Sequence, residues 1–358
     1  MPSREDLKYF QAMPLEVKVG MTKTRIREWV KEYGTDGAYV SFSGGKDSTV
    51  LLHIVRELYP NIEAVFVDTG LEYPEIRKFV KTFDNVTILR PKMRFDEVIK
   101  KYGYPLISKD ISLTVYYARR NADWAIKRLY GVSPNGKPSQ YRVDRYGKFR
   151  PLLHVDFNIS NWCCLEMKEK PMHLKEKEKK PIIALLAEES ERRTDAWLKT
   201  GCNAFDSKHP ISKPMSFWTE QDVLQYIKQN SLSIASVYGD VVNESQIIKS
   251  GSEIFEQQSV FEDCGGKLIT TGCERTGCMF CGFGCHLEKE SRWLRLKKTH
   301  PRQYEYCIGG GEYNEEGIWQ PNSKGLGLGH CFDVLNEIYG KGFIKYKEDG
   351  YDKQKIYL

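Results

Sequence analysis

The sequence predicts an α/β protein: a doubly wound, mostly parallel sheet with a helical insertion and a cysteine-rich C-terminal extension. Three observations predict it. Short β-prone runs alternate with amphipathic helical stretches between residues 38 and 89. The same alternation resumes over 181–199, and repetition on this scale builds a parallel sheet covered on both faces. From about residue 264 the composition shifts to Cys, Gly and aromatic residues.

The elements follow in order. TKTRIREWVKEY, residues 22–33, has the spacing of an amphipathic helix and runs into the turn signal Gly34-Thr35-Asp36-Gly37. Ala38–Phe42 is a β-prone run, and Thr49–Leu58 is helix-like. Ile62–Val67 and Asn85–Leu89 predict two further strands, separated by a helix over Glu75–Phe83. Residues 104–160 mix Arg, Tyr, Lys and Gly with little periodicity and are expected to form a helical or irregular insertion. Pro181–Leu186 predicts another strand, followed by a helix from about Ser190 to Lys199. TEQDVLQYIKQ, residues 219–229, predicts a helix with Thr219 as N-cap and Asp222 three residues on. The stretches GGGEY and GLGLGH read as Gly-rich loops. The expected organisation is a helical segment over 1–35, an α/β domain over 36–263 carrying the insertion, and a Cys- and Gly-rich region over 264–358.

Composition bounds the function classes. The 358 residues are 41% apolar and 28% charged, as in an ordinary soluble globular protein. No apolar run approaches the ~20 residues of a membrane span, and MPSREDLKYF lacks the apolar core of a secretory signal. The expectation is therefore a cytoplasmic protein with no membrane partner, whose ten cysteines are thiols or metal ligands rather than disulfides. A net charge of +6 fits a nucleic-acid or nucleotide partner without demanding one.

Ser43-Gly44-Gly45-Lys46-Asp47-Ser48 falls between a predicted strand and a predicted helix. Two glycines let the backbone turn tightly and bring its N–H groups against a phosphate, and the following helix offers its positive end to the same anion. Lys46 adds a point charge and Ser48 a hydroxyl. The glycines are too closely spaced for a Walker loop. Asp68-Thr69-Gly70 ends the next predicted strand, at the carboxyl edge where open α/β sheets bind ligands.

Cysteines concentrate in two places, Cys163-Cys164 and the stretch TGCERTGCMFCGFGCH at 271–286. Cys273, Cys278, Cys281 and Cys285 have the spacing of a local four-cysteine zinc knuckle, with Gly272, Gly277, Gly282 and Gly284 supplying turns. Adjacent cysteines such as 163 and 164 diverge too much to share one tetrahedral ion, but a cubane can accept them at different irons. Cys202, Cys264, Cys307 and Cys331 read as buried or loop cysteines. Arg275, Arg292, Arg295, Lys297 and Lys298, interleaved with Trp293, read as a nucleic-acid surface or as a charged helix, and Lys109 as a phosphate contact or a surface lysine.

SGGKDS resembles the pyrophosphatase loop of the adenine nucleotide alpha-hydrolase superfamily. The order Cys163-Cys164, Glu189-Ser190-Glu191-Arg192-Arg193, Trp218-Thr219 and Cys278-Met279-Phe280-Cys281 resembles the phosphoadenosine phosphosulfate reductase family within it, over residues 38–285. The resemblance implies that Ser43, Gly44, Gly45, Lys46, Asp47 and Ser48 grip the pyrophosphate end of ATP or of an adenylyl sulfate. It implies Asp68, Thr69 and Gly70 near the nucleotide or its Mg2+, with Glu189, Ser190 and Arg193 also at the nucleotide. It implies a 4Fe-4S cluster on Cys163, Cys164, Cys278 and Cys281.

Two departures separate this chain from the reductases. It keeps the Lys46-Asp47-Ser48 ending that ATP-splitting members use, and it has no Glu-Cys-Gly-Leu-His near the C-terminus; no Cys follows Cys331 in the given sequence, which closes GYDKQKIYL. Ala184-Leu185-Leu186 also stands where the family often has Gly-x-Arg. An intact ATP loop beside a cluster is the combination of ATP-dependent sulfur-inserting enzymes. The leading expectation is therefore AMP-forming adenylation of an acceptor, a nucleic acid among the candidates, followed by sulfur transfer. Lys46 and Asp47 would act in the adenylation and Cys285, beside His286, would carry sulfur. A sulfur-donor or reductant protein and a second copy of the chain are the expected protein partners. The alternatives are reduction of an adenylyl sulfate to sulfite, and a non-catalytic nucleotide-binding regulator that binds nucleic acid.

Overall fold

The computed structural model describes residues 2–250, 253–256 and 266–348. Cys264 and the closing GYDKQKIYL lie outside the described residues. Compactness divides the chain into two units, Met1–Arg90 with Pro171–Gly277, and Pro91–Lys170 with Cys278–Leu358. Composition points to other boundaries, at 35 and 263, because it registers residue type and not where the chain leaves a sheet and returns. The chain leaves the first unit after its third parallel strand and comes back before the fourth.

The first unit holds a six-stranded sheet in the order Val86–Leu89, Glu63–Val67, Ala38–Ser41, Lys180–Ile183, Ile211–Ser212, Asn203–Ala204. Every neighbouring pair is parallel except the last, which is antiparallel. The mainly parallel α/β fold expected from the alternation is thus the fold observed. Val40 sits between Ala64 on one side and Ile182 on the other, and all three are fully buried. Successive strands are laid down first to one side of Ala38–Ser41 and then to the other. That reversal opens a crevice at the carboxyl end of Ala38–Ser41, where ligands bind in open α/β sheets.

The helix over 22–33 is longer than expected, spanning Leu15–Tyr33, and a further helix, Arg4–Gln11, precedes it. The periodicity of residues 4–21 is masked by charge, but Ser3 and Asp6 form a reciprocal capping box at the start. Lys18 is buried and ion-paired to Asp222 at 2.7 Å. Thr219 and Asp222 cap the helix Glu220–Gln229 reciprocally, as expected.

The second unit is mostly helical, with helices Phe95–Tyr102, Lys109–Ala118, Asp123–Leu129, Gln140–Tyr146, Arg292–Thr299, Pro301–Ile308 and Leu328–Tyr339. The last begins inside the stretch expected to be a Gly-rich loop. Gly327 takes a left-handed φ of 71° and the apolar run behind it, with Leu328, Cys331, Phe332 and Leu335 buried, continues as helix. Leu106–Ile107 pairs in parallel with Gly282–Phe283. A Cβ at Gly282 would lie 2.6 Å from the Pro105 carbonyl oxygen, so the close approach of these strands requires glycine there.

Candidate functional site: a phosphate loop and a four-thiol centre

In the first unit, Ser43-Gly44-Gly45 turns the chain from Ala38–Ser41 into the helix Lys46–Leu58. Gly44 has φ 71°, and a Cβ there would lie 2.7 Å from Val80 Cγ2. The loop is tied internally: the Ser43 N–H donates to Ser48 Oγ at 3.2 Å, and Ser48 Oγ–H donates to the Gly45 carbonyl at 2.9 Å. The N–H groups of the helix's first turn have no intrahelical acceptor, and with the helix dipole they form an anion-binding end.

Lys46 is 3% exposed, and its Nζ bonds to the Glu274 carbonyl at 2.9 Å and pairs with Glu220 at 3.0 Å. Its backbone N–H donates to Tyr238 Oη, which exchanges a 2.6 Å hydrogen bond with Thr276 Oγ1. Burial pushes the Asp47 carboxyl up from its ordinary range, against the pull of Lys46, Arg275 and Arg193. Arg193 is half-buried, paired with Glu189, and pushed down by burial and by Arg275. Arg192, its neighbour, is exposed. Ser190 stands at the N-cap position of the helix Glu191–Thr200, with no capping bond from its side chain. Lys46, Asp47, Glu189 and Arg193, far apart in sequence, therefore interact within one group. Asp68 is differently occupied: it accepts from Arg77 at 2.8 Å and from the Gly70 N–H at 3.2 Å, while Thr69 Oγ1 donates to Glu72 at 2.7 Å. Tyr238, Thr276 and Glu220 were not anticipated. Glu220 and Thr276 lie in stretches singled out for other reasons, the helix 219–229 and the cysteine stretch 271–286, and only tertiary folding brings them and Tyr238 to Lys46.

The second site lies wholly in the second unit. Trp162–Cys164 forms a helical turn that widens into a π-helical turn over Leu165–Glu169, a local geometry common at functional sites. Trp162 stacks on Tyr102 with centroids 5.1 Å apart and planes at 11°, and tilts against Tyr116 at 5.9 Å. Cys278 and Cys281 sit on a tight turn closed by a 3.1 Å bond from the Cys281 N–H to the Cys278 carbonyl. The structure brings these two pairs together: Cys163 feels the charges of Cys164, Cys281 and Cys278.

The thiols polarise one another. Cys163 donates to Cys164, which raises Cys163 and lowers Cys164 to about 6, helped by the charge and hydrogen bond of Lys109 and by the charge of Lys168. Burial, with the like charge of Cys278, pushes Cys281 up to about 11. Arg292 donates to the Cys281 carbonyl at 2.9 Å and is held by Glu288. Lys109 reaches Cys164 because Ile107 adopts a left-handed φ of 64° before Ser108 caps the helix Lys109–Ala118. A β-branched residue in that region stores strain of order 1–2 kcal/mol. Pairing with Phe283, and the Gly284 N–H donated to the Ile107 carbonyl at 2.8 Å, hold it there. A phosphate contact was one expectation for Lys109; its partner is the Cys164 sulfur.

The donor set is all sulfur, the kind that selects zinc or iron–sulfur clusters over harder metals. Among the described residues, no three His, Cys, Asp or Glu converge closely enough to hold a single metal ion, and this covers both the local quartet Cys273, Cys278, Cys281 and Cys285 and the set Cys163, Cys164, Cys278 and Cys281. Cys273 belongs to the first unit and the other three to the second. Cys285 is buried, donates to the Gly282 carbonyl at 3.2 Å, and is pushed up to about 11 by burial. That is the setting of a packed structural thiol rather than of an accessible nucleophile. Arg292 and Lys297, expected on a basic surface, pair with Glu288 and Glu348.

Fold and site together define a parallel α/β protein with a phosphate loop at its sheet's switch point. Residues 37–107 match the family model described as the phosphoadenosine phosphosulfate reductase domain. The phosphoadenosine 5'-phosphosulfate reductase of Xylella fastidiosa is 24% identical over 206 residues, 57% of this chain and 68% of that protein. An uncharacterized protein of Methanocaldococcus jannaschii is 40% identical over 70 residues, 18% of this chain but only 17% of that protein's length. Among solved structures, a phosphoadenylyl-sulfate reductase from Candida auris aligns over 66% of this chain and 91% of its own, at 13% identity and a TM-score of 0.35. No helix among the described residues is long and apolar enough to cross a membrane.

Proposed function

We propose that the protein is an AMP-forming ATP pyrophosphatase that activates an acceptor for sulfur transfer. One observation carries the reading: a complete SGGKDS loop with a buried Lys46 occurs in the same chain as a centre of four mutually interacting thiols. A reductase fed with a ready-made adenylyl sulfate has no need to split ATP.

In this reading the polyphosphate enters at the first turn of Lys46–Leu58. Lys46 exchanges Glu220 and the Glu274 carbonyl for phosphate oxygens, and Arg193, with Arg275, meets the α-phosphate side. Oxyanion stabilisation by such pre-placed donors is usually the largest catalytic term. The acceptor oxygen attacks the α-phosphorus, the bond from α-phosphorus to the bridging oxygen breaks, and pyrophosphate leaves with the electron pair. A sulfur nucleophile then forms the carbon–sulfur bond as the carbon–oxygen bond breaks, and AMP leaves with the oxygen. Mg2+ would shield the pyrophosphate, with Asp47 and Asp68 as the nearby carboxylates; Asp68 would first have to leave Arg77.

Cys163, Cys164, Cys278 and Cys281 would hold a 4Fe-4S cluster, whose chemistry is electron transfer; with every iron held by a cysteine, the sulfur nucleophile would come from a separate donor protein. One feature favours this group over a lone zinc ion: adjacent cysteines contribute two of the four donors, which a cubane can accept at different irons. Lys109 and Lys168 would balance the negative charge of a thiolate-ligated cluster. The carrier role expected of Cys285 has no support in its surroundings.

The test is product analysis with protein purified without oxygen. Pyrophosphate and AMP should appear from ATP in equal amounts, and Lys46→Ala should lower both by about 10²–10³-fold. The reductase similarity over 57% of the chain favours a second reading, reduction of an adenylyl sulfate. Release of sulfite from adenosine phosphosulfate with a thiol reductant, without turnover of ATP, would establish that reading and remove the first. Nucleotide binding with no turnover of either compound would leave the regulator.

A further inference from the structure

Residues 109–150 of the second unit carry ten Lys and Arg against three Asp, while the whole chain carries a net charge of only +6. This one segment therefore holds all of the protein's positive excess, and the remainder is close to neutral. The segment shows little periodicity in sequence because it is three short helices, Lys109–Ala118, Asp123–Leu129 and Gln140–Tyr146, rather than one long one. Asp110 joins them, accepting from Arg128 at 3.0 Å, from Tyr146 Oη at 2.7 Å and from Arg145 at 3.4 Å.

That junction and the Lys127–Asp123 pair use a few of the bases. Among the described residues, Arg120, Lys137, Arg142, Lys148 and Arg150 make no ion pair with a carboxylate, and all but Arg142 are exposed. Large rings stand among them: Trp124 is 42% exposed, Tyr130 54% and Tyr141 63%. Each has a guanidinium beside its face, Arg128 at 5.1 Å from Trp124, Arg150 at 5.4 Å from Tyr130 and Arg145 at 5.8 Å from Tyr141. Arg120 lies 3.6 Å over Tyr116.

We propose that this surface binds RNA through unpaired bases. Exposed aromatic faces stack bases, and adjacent guanidinium groups neutralise the phosphates joining them. An acidic protein would answer the charge but leave the rings uncovered. Duplex DNA would answer the charge but hide its base faces within the stack. Unpaired bases are a standing feature of folded RNA, and the Tyr130 and Tyr141 hydroxyls suit a ribose 2′-OH. The proposal rests on the sulfur-transfer reading only in supplying its acceptor class; the binding itself belongs to this surface and is measured without ATP.

The experiment is fluorescence anisotropy of the full chain with a labelled, mixed-sequence RNA of about 20 nucleotides, the DNA of the same sequence and the RNA duplex. Single-stranded RNA should bind tightest, with a log–log salt slope of about −0.7 per phosphate contacted. Tyr130→Ala and Tyr141→Ala should each weaken binding roughly tenfold, while Tyr130→Phe and Tyr141→Phe keep it, since stacking needs the ring. Combining Arg120→Gln with Arg150→Gln should weaken binding and flatten the slope by about 1.4, whereas Lys298→Gln on another helix should change neither. Melting curves of each variant separate lost binding from lost folding. Absence of RNA binding by the wild-type chain, equal or tighter binding of DNA, or an equal effect of Lys298→Gln would overturn the proposal. Pyrophosphate release run in parallel separates the two readings: RNA binding without turnover sinks only the catalytic one, and turnover without RNA binding only this one.

Discussion

The phosphate loop and the thiol centre solve opposite electrostatic problems. Around the loop every strong charge already has a partner: Lys46 has Glu220, Arg193 has Glu189, and Asp68 has Arg77. A polyphosphate entering there must exchange partners rather than find bare charge, which suits a ligand that comes and goes. At the thiol centre soft donors are gathered instead: burial and mutual repulsion keep Cys163 and Cys281 protonated, while Lys109 and Lys168 favour the Cys164 thiolate. An all-sulfur set of this kind suits a resident group. The difference separates a site of exchange from a site of retention.

The largest expected effect tests the exchange side. Lys46→Ala should lower pyrophosphate release from ATP by about 10²–10³-fold, the usual loss when one pre-placed oxyanion donor is removed. Iron content and visible colour should be unchanged. A parallel loss of both would break the separation of the two sites.

Next in size is the retention side. The protein purified without oxygen should absorb at about 400 nm, as thiolate-bound clusters do. Cys163→Ser and Cys278→Ser should each remove most of the iron, while Cys273→Ser should not. The opposite pattern, zinc lost with Cys273 and kept without Cys163, would restore the local knuckle.

The two sites also differed in how far the sequence disclosed them. The loop is six consecutive residues between a strand and a helix, so local pattern sufficed for its backbone. Its side-chain surroundings, Tyr238, Glu220 and Thr276, were illegible because folding alone assembles them. The thiol centre joins segments more than a hundred residues apart, and the resemblance rather than any periodicity paired them. The strained turn at Ile107 that delivers Lys109 to Cys164 left no signal, since a β-branched residue is the least expected at positive φ. Strands Ala38–Ser41, Glu63–Val67, Val86–Leu89 and Lys180–Ile183 were legible from their short apolar, β-prone runs. The two-residue edge strands at 203–204 and 211–212 were too short to show a pattern.

Acid should distinguish the first unit through Glu63. Burial alone would raise this carboxyl, but hydrogen bonds from Lys175, Lys179 and Thr87 prevail and hold it at about 2, below the ordinary 4.5. A depressed folded pKa adds stability above the unfolded value that disappears as pH falls through the folded one. Between pH 4.5 and about 2 the unit should lose, after solvent screening, on the order of 1 kcal/mol from this group, and Glu63→Gln should remove that part of the pH dependence. Denaturant melts of both proteins across that range are the measurement; parallel curves would show that Glu63 contributes nothing.

A loss of similar order is expected at Gly44. Alanine there would carry φ 71° and place its Cβ 2.7 Å from Val80 Cγ2. Gly44→Ala should cost about 1–3 kcal/mol in a thermal melt and weaken ATP binding more than it weakens folding, because the strain falls on the loop's N–H groups. An ATP affinity equal to wild type would mean that the phosphates do not lie against this turn.

The smallest effect should come from Cys285→Ser, which decides whether any sulfur leaves through that residue. Its thiol is packed, donates to the Gly282 carbonyl, and is pushed up to about 11, so little thiolate exists near neutrality. Serine can keep the same donor in nearly the same volume, and the loss is the poorer fit of a hydroxyl in an apolar site, about 1 kcal/mol. Iron, pyrophosphate release and any sulfur transfer should all persist. If transfer alone fails while iron and adenylation survive, then Cys285 must be exposed and deprotonated during turnover. The retention site would then have a moving member, and the line between exchange and retention would run through the second unit itself.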